Sequence, residues 1–320
     1  MSSMHIVFSV PILVFFLGIV ASVIRSDLSI PTDISKFIAL YLLFSIGFQG
    51  GVELSHNVWN IHQAIPMLVG LVMAGAIPLY VFYIAKRHLS LYNAAALAAS
   101  YGSISVVTFL TAISYLNDAQ TPYGGYMIAL MALMEFPAIL IGLFLVKKYA
   151  QQDMAYTASH ICQDVFKNGA IVILIGGLLI GCCSHASDIA SLKPFLVGIQ
   201  RGFLLFFLLD KGILVGSKIV HIRKVGIYMI ALGIGIPLIN VAIGCLCTYF
   251  FHINSGDGLL LTILLCSASY IAVPATFNLT VPQADPGVYL TPAVLITFPF
   301  NMMMIPVYGK IINYLATLSH

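Results

Sequence analysis

The sequence predicts an all-α integral membrane protein of about ten transmembrane helices in two inverted five-helix repeats. Three observations predict it. Apolar residues are 60% of the chain and charged residues 8%, against about 45–50% and about 25% in an ordinary soluble domain, so most of the surface must face lipid. Apolar runs fall near 6–24, 37–53, 65–85, 93–116, 124–146, 169–183, 196–217, 226–250, 258–280 and 288–316. Each is near the roughly 20 residues that cross a bilayer, and the short loops between them leave no room for a separate soluble domain. The third observation is an internal repeat at an offset of about 160 residues.

The first run, Ile6 to Ile24, has only His5 before it. It lacks the basic start of a signal peptide and reads as a retained helix. Span two carries Gly47-Phe48-Gln49-Gly50-Gly51, with Glu53 at its interfacial end, and span three carries Ile77-Pro78-Leu79. Span five holds Glu135-Phe136-Pro137 near its middle. These three segments have counterparts in Gly212 to Gly216 of span seven, Ile236-Pro237-Leu238 of span eight and Thr297-Phe298-Pro299 of span ten; Gly18 of span one sits opposite Gly177 of span six. The first repeat is thus 1–150, the connection 151–168 and the second repeat 169–320. Five is an odd number, so the second half must enter from the opposite side of the membrane.

Lysine and arginine set the orientation. Arg25, Lys36, Lys86, Arg87, Lys147, Lys148, Lys167, Lys218, Arg223 and Lys224 follow odd-numbered spans, while Lys193, Arg201 and Lys310 lie on the other side. The positive-inside rule then places the connection in the cytoplasm and both termini outside. The net charge of +3 gives no nucleic-acid partner. The cysteines, Cys162, Cys182, Cys183, Cys245, Cys247 and Cys266, have no zinc-site spacing and read as small apolar fillers. His56 and His62 read as surface residues. Gly47/Gly51, Gly177/Gly181 and Gly212/Gly216 have the small-xxx-small spacing that lets helices approach closely. Asp210 and Lys211 lie in mid-span; neighbours on a helix point about 100° apart, so they need not pair.

Spans four and nine carry the candidate site. Span four reads Ser100-Tyr101-Gly102-Ser103-Ile104-Ser105-Val106-Val107-Thr108, and span nine Cys266-Ser267-Ala268-Ser269-Tyr270-Ile271-Ala272-Val273-Pro274-Ala275-Thr276. Gly102 and Pro274 each weaken a helix, and a broken helix exposes backbone N–H groups and a partial positive charge at its new N-terminus. That end suits a small anion. The carbonyl ends and hydroxyls suit a hard cation such as sodium. Glu135, a carboxylate near the bilayer centre, costs about 2.5–3.5 kcal/mol on insertion scales and reads as a sodium ligand, a proton carrier or a hydrogen-bonded structural group.

With those segments in place, the sequence resembles the cyanobacterial-type sodium-dependent bicarbonate transporter family over nearly its whole length. The resemblance rests on Ile46 to Gly51, Gly102 to Thr108, Glu135 to Ala138, Arg223-Lys224-Val225 and the stretch from Ser267 to Tyr289. It implies a bacterial inner (plasma) membrane location, a core domain that moves against a scaffold, a homotrimer, and bicarbonate bound between the facing ends of spans four and nine with sodium beside it. In the resemblance, Ser105, Thr108, Ser267, Ser269 and Thr276 match the family's hydroxyl residues and Glu135 stands where the family usually has an aspartate; the expected anion-binding residues are Gly102, Ser103, Ser105, Thr108, Ser269, Tyr270 and Thr276, and the expected sodium ligands Ser105, Thr108, Glu135 and Ser267. A soluble regulatory protein is an implied partner, although the central connection is short. The chain departs from the family pattern at Val106, Val107, Tyr270, Ala272, Val273 and Ala275, which makes the site less polar and removes one carboxylate.

The expected function is sodium-coupled bicarbonate uptake by alternating access. A proton- or sodium-coupled carrier of another small anion, with Glu135 as the proton site, and an anion receptor that does not transport are the alternatives. No nucleophile–base pair or phosphate loop points to an enzyme.

Overall fold

The computed structural model describes residues 10–56, 61–150, 169–222, 226–270 and 272–319. The connection 151–168, with Cys162 and Lys167, the residues Arg223, Lys224 and Val225, and Ile271 lie outside them. So do the side chains of His56, His62, Lys218 and Ala275.

The described chain is helical. The first half comprises α1 (Val10–Val23), α2 (Thr32–His56), α3 (Ile61–Ala85), α4 (Leu91–Gly102), α5 (Val106–Asp118) and α6 (Tyr126–Tyr149). The second half comprises α7 (Gly169–Cys183), α8 (Ala186–Lys193), α9 (Ile199–Ile222), α10 (Ile227–Phe250), α11 (Ser255–Cys266), α12 (Ala272–Thr280), α13 (Pro286–Thr291) and α14 (Phe298–Ser319). Two π-helical turns, Pro194–Gly198 and Pro292–Thr297, join α8 to α9 and α13 to α14. Among the described residues, seven helical stretches are long and apolar enough to cross a bilayer, and α1, Val172–Cys183 and α11 are shorter apolar helices. The expected span ten therefore begins earlier, at Pro286, and span seven continues back through a π turn to Ala186. A proline at the start of each π turn lacks the N–H that an α-helical hydrogen bond needs, which accounts for the local widening.

Two crossings made of glycine organise one side of the molecule. Helix α1 lies on α9, and α2 lies on α7. A Cβ on Gly18 would overlap the Leu209 carbonyl oxygen, and one on Gly212 the Phe15 carbonyl oxygen. A Cβ on Gly47 or Gly51 would overlap the carbonyl oxygens of Leu174 or Leu178, and Gly181 meets Phe48 in return. Lipid gives no hydrophobic drive for helices to associate, so close backbone contact between small residues supplies the attraction. The outward faces carry Leu17, Val172, Leu179 and Phe206, all more than half exposed, as lipid-facing helices require.

The π turn after α8 frees backbone carbonyls inside the bundle, and α2 answers them. Tyr41 Oη donates to the Phe195 carbonyl and Ser45 Oγ to that of Leu196. Gln49 Nε2 donates to Leu196 O at 3.1 Å and to Gln200 Oε1 at 2.9 Å. Residues 41, 45 and 49 are successive i, i+4 positions, so one face of α2 carries the whole row.

On the other side, α4 and α11 are the most enclosed helices. Ala94 to Ala96, Ala98 and Ala99 are fully buried, as are Leu260, Leu261 and Leu265. Helix α4 packs on α3 and α6; α11 packs on α10 and α14. Helices that are apolar all round belong at the centre of a bundle. Ser90 caps the start of α4 by accepting from Asn93 N, and Asn254 caps α11 by accepting from Asp257 N.

Polar side chains from α10 and α14 secure the inner end of α11. Asn240 donates from Nδ2 to Leu265 O at 2.8 Å and accepts at Oδ1 from Tyr80 Oη; Asn301 Nδ2 donates to Cys266 O at 2.8 Å. These amides satisfy carbonyls that the helix end leaves without partners. Replacing Asn240 by alanine strips partners from Leu265 O and Tyr80 Oη together. The expected loss is about 1–3 kcal/mol, read as a lower unfolding temperature of the purified protein; an unchanged temperature would mean that this amide does not support the break.

Candidate functional site

Spans four and nine are both interrupted, and the interruptions touch. Helix α4 stops at Gly102, where Ser103 turns to extended backbone (φ −87°, ψ 178°) while its N–H still reaches Ala99 O. Helix α11 stops at Cys266, and Ser267 does the same (φ −83°, ψ 170°) with its N–H on Ile263 O. The two chains then bond to each other. Ser269 N donates to Ser100 O at 2.7 Å, and Ser105 N donates to Ser267 Oγ at 3.0 Å. Beyond the breaks the half-helices cross, α5 packing on α11 and α12 on α4.

Gly102 has a packing role as well as a terminating one. A Cβ there would overlap the Pro78 ring of α3 and lie 3.1 Å from Ala138 Cβ of α6. Pro274 corrects the sequence reading. It is not the point of rupture but the third residue of α12, inside the first turn, where its missing N–H breaks no bond. The rupture lies upstream, after Cys266.

Ser105 is the N-cap of α5. Its Oγ accepts from Thr108 N at 3.3 Å and from Thr108 Oγ1 at 2.9 Å, and donates to Tyr270 Oη at 3.5 Å. Among the first N–H groups of α5, that of Thr108 meets this cap and that of Phe109 meets Ser105 O. Those of Val106 and Val107 remain at the helix end. Ser267 Oγ also donates to Leu264 O at 3.4 Å. Ser269 Oγ accepts from Val273 N at 3.5 Å, and Thr276 Oγ1 donates to Ala272 O at 3.0 Å. Tyr270 packs edge-on against Phe298.

Glu135 belongs to the same region by register. Helices α4 and α6 run antiparallel: Gly142 faces Ala95 and Ala99, and Gly102 faces Ala138. The next residue on that face of α6, one turn back, is Glu135, level with the break after Gly102. It is 4% exposed, no lysine or arginine pairs with it among the described residues, and its Oε2 has no hydrogen-bond partner. Ser100 Oγ and Ser103 Oγ, both fully buried, are likewise without partners. Buried oxygens without partners cost about 1–3 kcal/mol each, so three around one helix end call for a ligand or a counter-charge. Oxygen-only donors of this kind suit a hard cation.

The structure thus brings together Gly102, Ser103, Ser105, Thr108, Ser267, Ser269 and Tyr270, with Thr276 one turn into α12 and Glu135 at the same level on α6. Sequence reasoning placed Ser100 in the candidate stretch but not among the ligands, and passed over Asn240 and Asn301. The available signal was polar side chains in the last turn before a break or inside apolar spans. It also left open whether Asp210 and Lys211 pair; Lys211 Nζ lies 2.7 Å from Asp210 Oδ2, which also accepts from Ser35 Oγ at 2.7 Å. The flexible lysine stem spans the angle between neighbouring positions.

Apolar spans, lipid-facing surfaces and two touching helix breaks define a multi-pass membrane protein of the transporter class. A model of the Na+-dependent bicarbonate transporter superfamily matches residues 11–313. The chain belongs to that superfamily. No curated protein matches it.

Proposed function

We propose that the protein is a sodium-coupled bicarbonate symporter that works by alternating access between two inverted five-span halves. The observation that carries this reading is the contact between two like breaks, Ser103 to Ser105 and Ser267 to Tyr270, with unpartnered oxygens beside them. The anion takes the N-terminal ends of α5 and α12, where N–H groups of Val106 and Val107 supply positive potential. Gly102, Ser103, Ser269, Tyr270 and Thr276 form its surroundings. Sodium takes oxygen ligands near Glu135, drawing on Ser105, Thr108 and Ser267 as the family resemblance implies, and on Ser100 and Ser103. The two latter hydroxyls have unspent lone pairs, whereas Ser105 Oγ already accepts twice.

Correspondence between the halves supports the inverted arrangement. Helices α4 and α11 each have 12 residues, each start at a side-chain cap and each end at an extended serine. The crossing of α1 with α9 and that of α2 with α7 exchange under the same correspondence. These four helices are assigned as the scaffold, and the bundle around α4 and α11 as the moving core.

The test is labelled bicarbonate uptake into liposomes with and without an inward sodium gradient. Uptake should require the gradient. Uptake indifferent to sodium ends the sodium-coupled reading; stimulation by an inward proton gradient instead assigns coupling to Glu135 protonation.

A further inference from the structure

A cavity of about 190 Å³ lies beside the paired breaks, on the side of α13. Its walls include Lys211 and Leu214 of α9, Tyr270 of the second break, and Gly287, Thr291 and Leu295 from α13 and the following π turn. A water occupies about 30 Å³ of liquid, so the space is large enough for a small hydrated anion. We propose that Lys211 and this cavity form a second anion subsite, through which a small monovalent oxyanion passes between α13 and the breaks. This inference rests on the transporter reading and adds to it a residue and a route that neither break supplies.

The first argument is position. Tyr270 borders the cavity on one side and receives the Ser105 hydroxyl on the other. An anion in the cavity is therefore one side chain away from the N-terminal cap of α5.

The second argument is the chemistry of Lys211. A lysine in the middle of an apolar span is costly and marks an ion path more often than a packing contact. Its ammonium has three N–H donors. Asp210 Oδ2 takes one at 2.7 Å, and the Phe207 ring lies 4.5 Å from the charge. The remaining donors are available to a ligand at the wall that Lys211 forms.

The third argument is that the ion pair is built to exchange. Adjacent helix positions diverge by about 100°, so Lys211 must bend to reach Asp210. Asp210 keeps the Ser35 hydroxyl when the lysine turns away. The passing anion then puts one of its own oxygens in place of the Asp210 oxygen at the ammonium, and the lysine charge stays neutralised.

The test is the thermal shift of the purified protein in bicarbonate, nitrate and formate at constant ionic strength. It compares wild type with Lys211→Arg, Lys211→Gln and the doubly neutral Asp210→Asn/Lys211→Gln. The double variant removes the stranded carboxylate that would otherwise weaken folding in the single one. At least one anion should stabilise the wild type. Its half-saturating concentration should rise about tenfold or more in both glutamine variants, and stay within about threefold of wild type with arginine. Unchanged half-saturation in the double variant overturns the inference and leaves the transporter reading intact, as does unchanged bicarbonate KM in liposomes. No shift in wild type with any of the three anions also overturns it. A shift lost in the glutamine variants, alongside wild-type liposomes that take up no bicarbonate under a sodium gradient, supports the subsite and overturns the symporter reading.

Discussion

Sodium-driven uptake is expected to fall about thirtyfold or more when Glu135 is replaced by glutamine, because removing one partner of a buried charge pair costs about 2–5 kcal/mol. Glutamine keeps the volume and one carbonyl oxygen but discards the negative charge. The carboxylate lies 4% exposed, level with the break after Gly102, with Oε2 unpartnered and no basic side chain against it among the described residues. In a medium of low dielectric such a group must be balanced by a bound cation or a proton. If sodium balances it, the half-saturating sodium concentration should rise steeply in Glu135→Gln and recover in part in Glu135→Asp. If a proton balances it, the glutamine variant should bind anion normally but exchange it without net driven uptake. Wild-type rates and sodium dependence in Glu135→Gln would make the residue a structural hydrogen-bonding group.

Substituting leucine for both Gly47 and Gly51 should prevent recovery of a folded, monodisperse protein. At each position even a Cβ would overlap a backbone carbonyl oxygen of α7, at Leu174 and Leu178. Backbone cannot move aside as a flexible side chain does, so each substitution sits at or above the upper end of the about 1–3 kcal/mol usual for overpacking. Two on one face separate α2 from α7 along their whole contact. Separation also pulls Ser45 and Gln49 away from the carbonyls of the π turn at 194–198. The measurement is size-exclusion behaviour and unfolding temperature after extraction, with Gly235→Leu as a control, since nothing lies within 4 Å of that glycine's Cβ direction. A double variant as stable as this control would show that close approach of α2 and α7 is dispensable.

Much of this was legible in the sequence because lipid imposes simple rules. Apolar runs, glycine spacing and the hydroxyl-rich stretches of spans four and nine each follow from residue type alone. The location of the second rupture was not legible: Pro274 looks like a breaker, yet the first turn of a helix tolerates proline, and the chain leaves α11 earlier, at Cys266. Nor was the division of labour among hydroxyls. Ser105 spends its lone pairs on Thr108, while Ser100 and Ser103 keep theirs, and only bond geometry separates them.

The sequence by itself determined that the chain is an apolar multi-span protein, that glycines mark its helix crossings, and that Glu135 is a carboxylate set deep within a span. These depend on local composition and period, which the membrane reads directly. Tertiary structure alone decided that the breaks meet, through Ser105 on Ser267 and Ser269 on Ser100, that Asn240 and Asn301 answer the end of α11, and that Lys211 opens onto the space beside Tyr270. Those contacts join residues from different spans, and no local pattern records which helices become neighbours or which way their side chains turn.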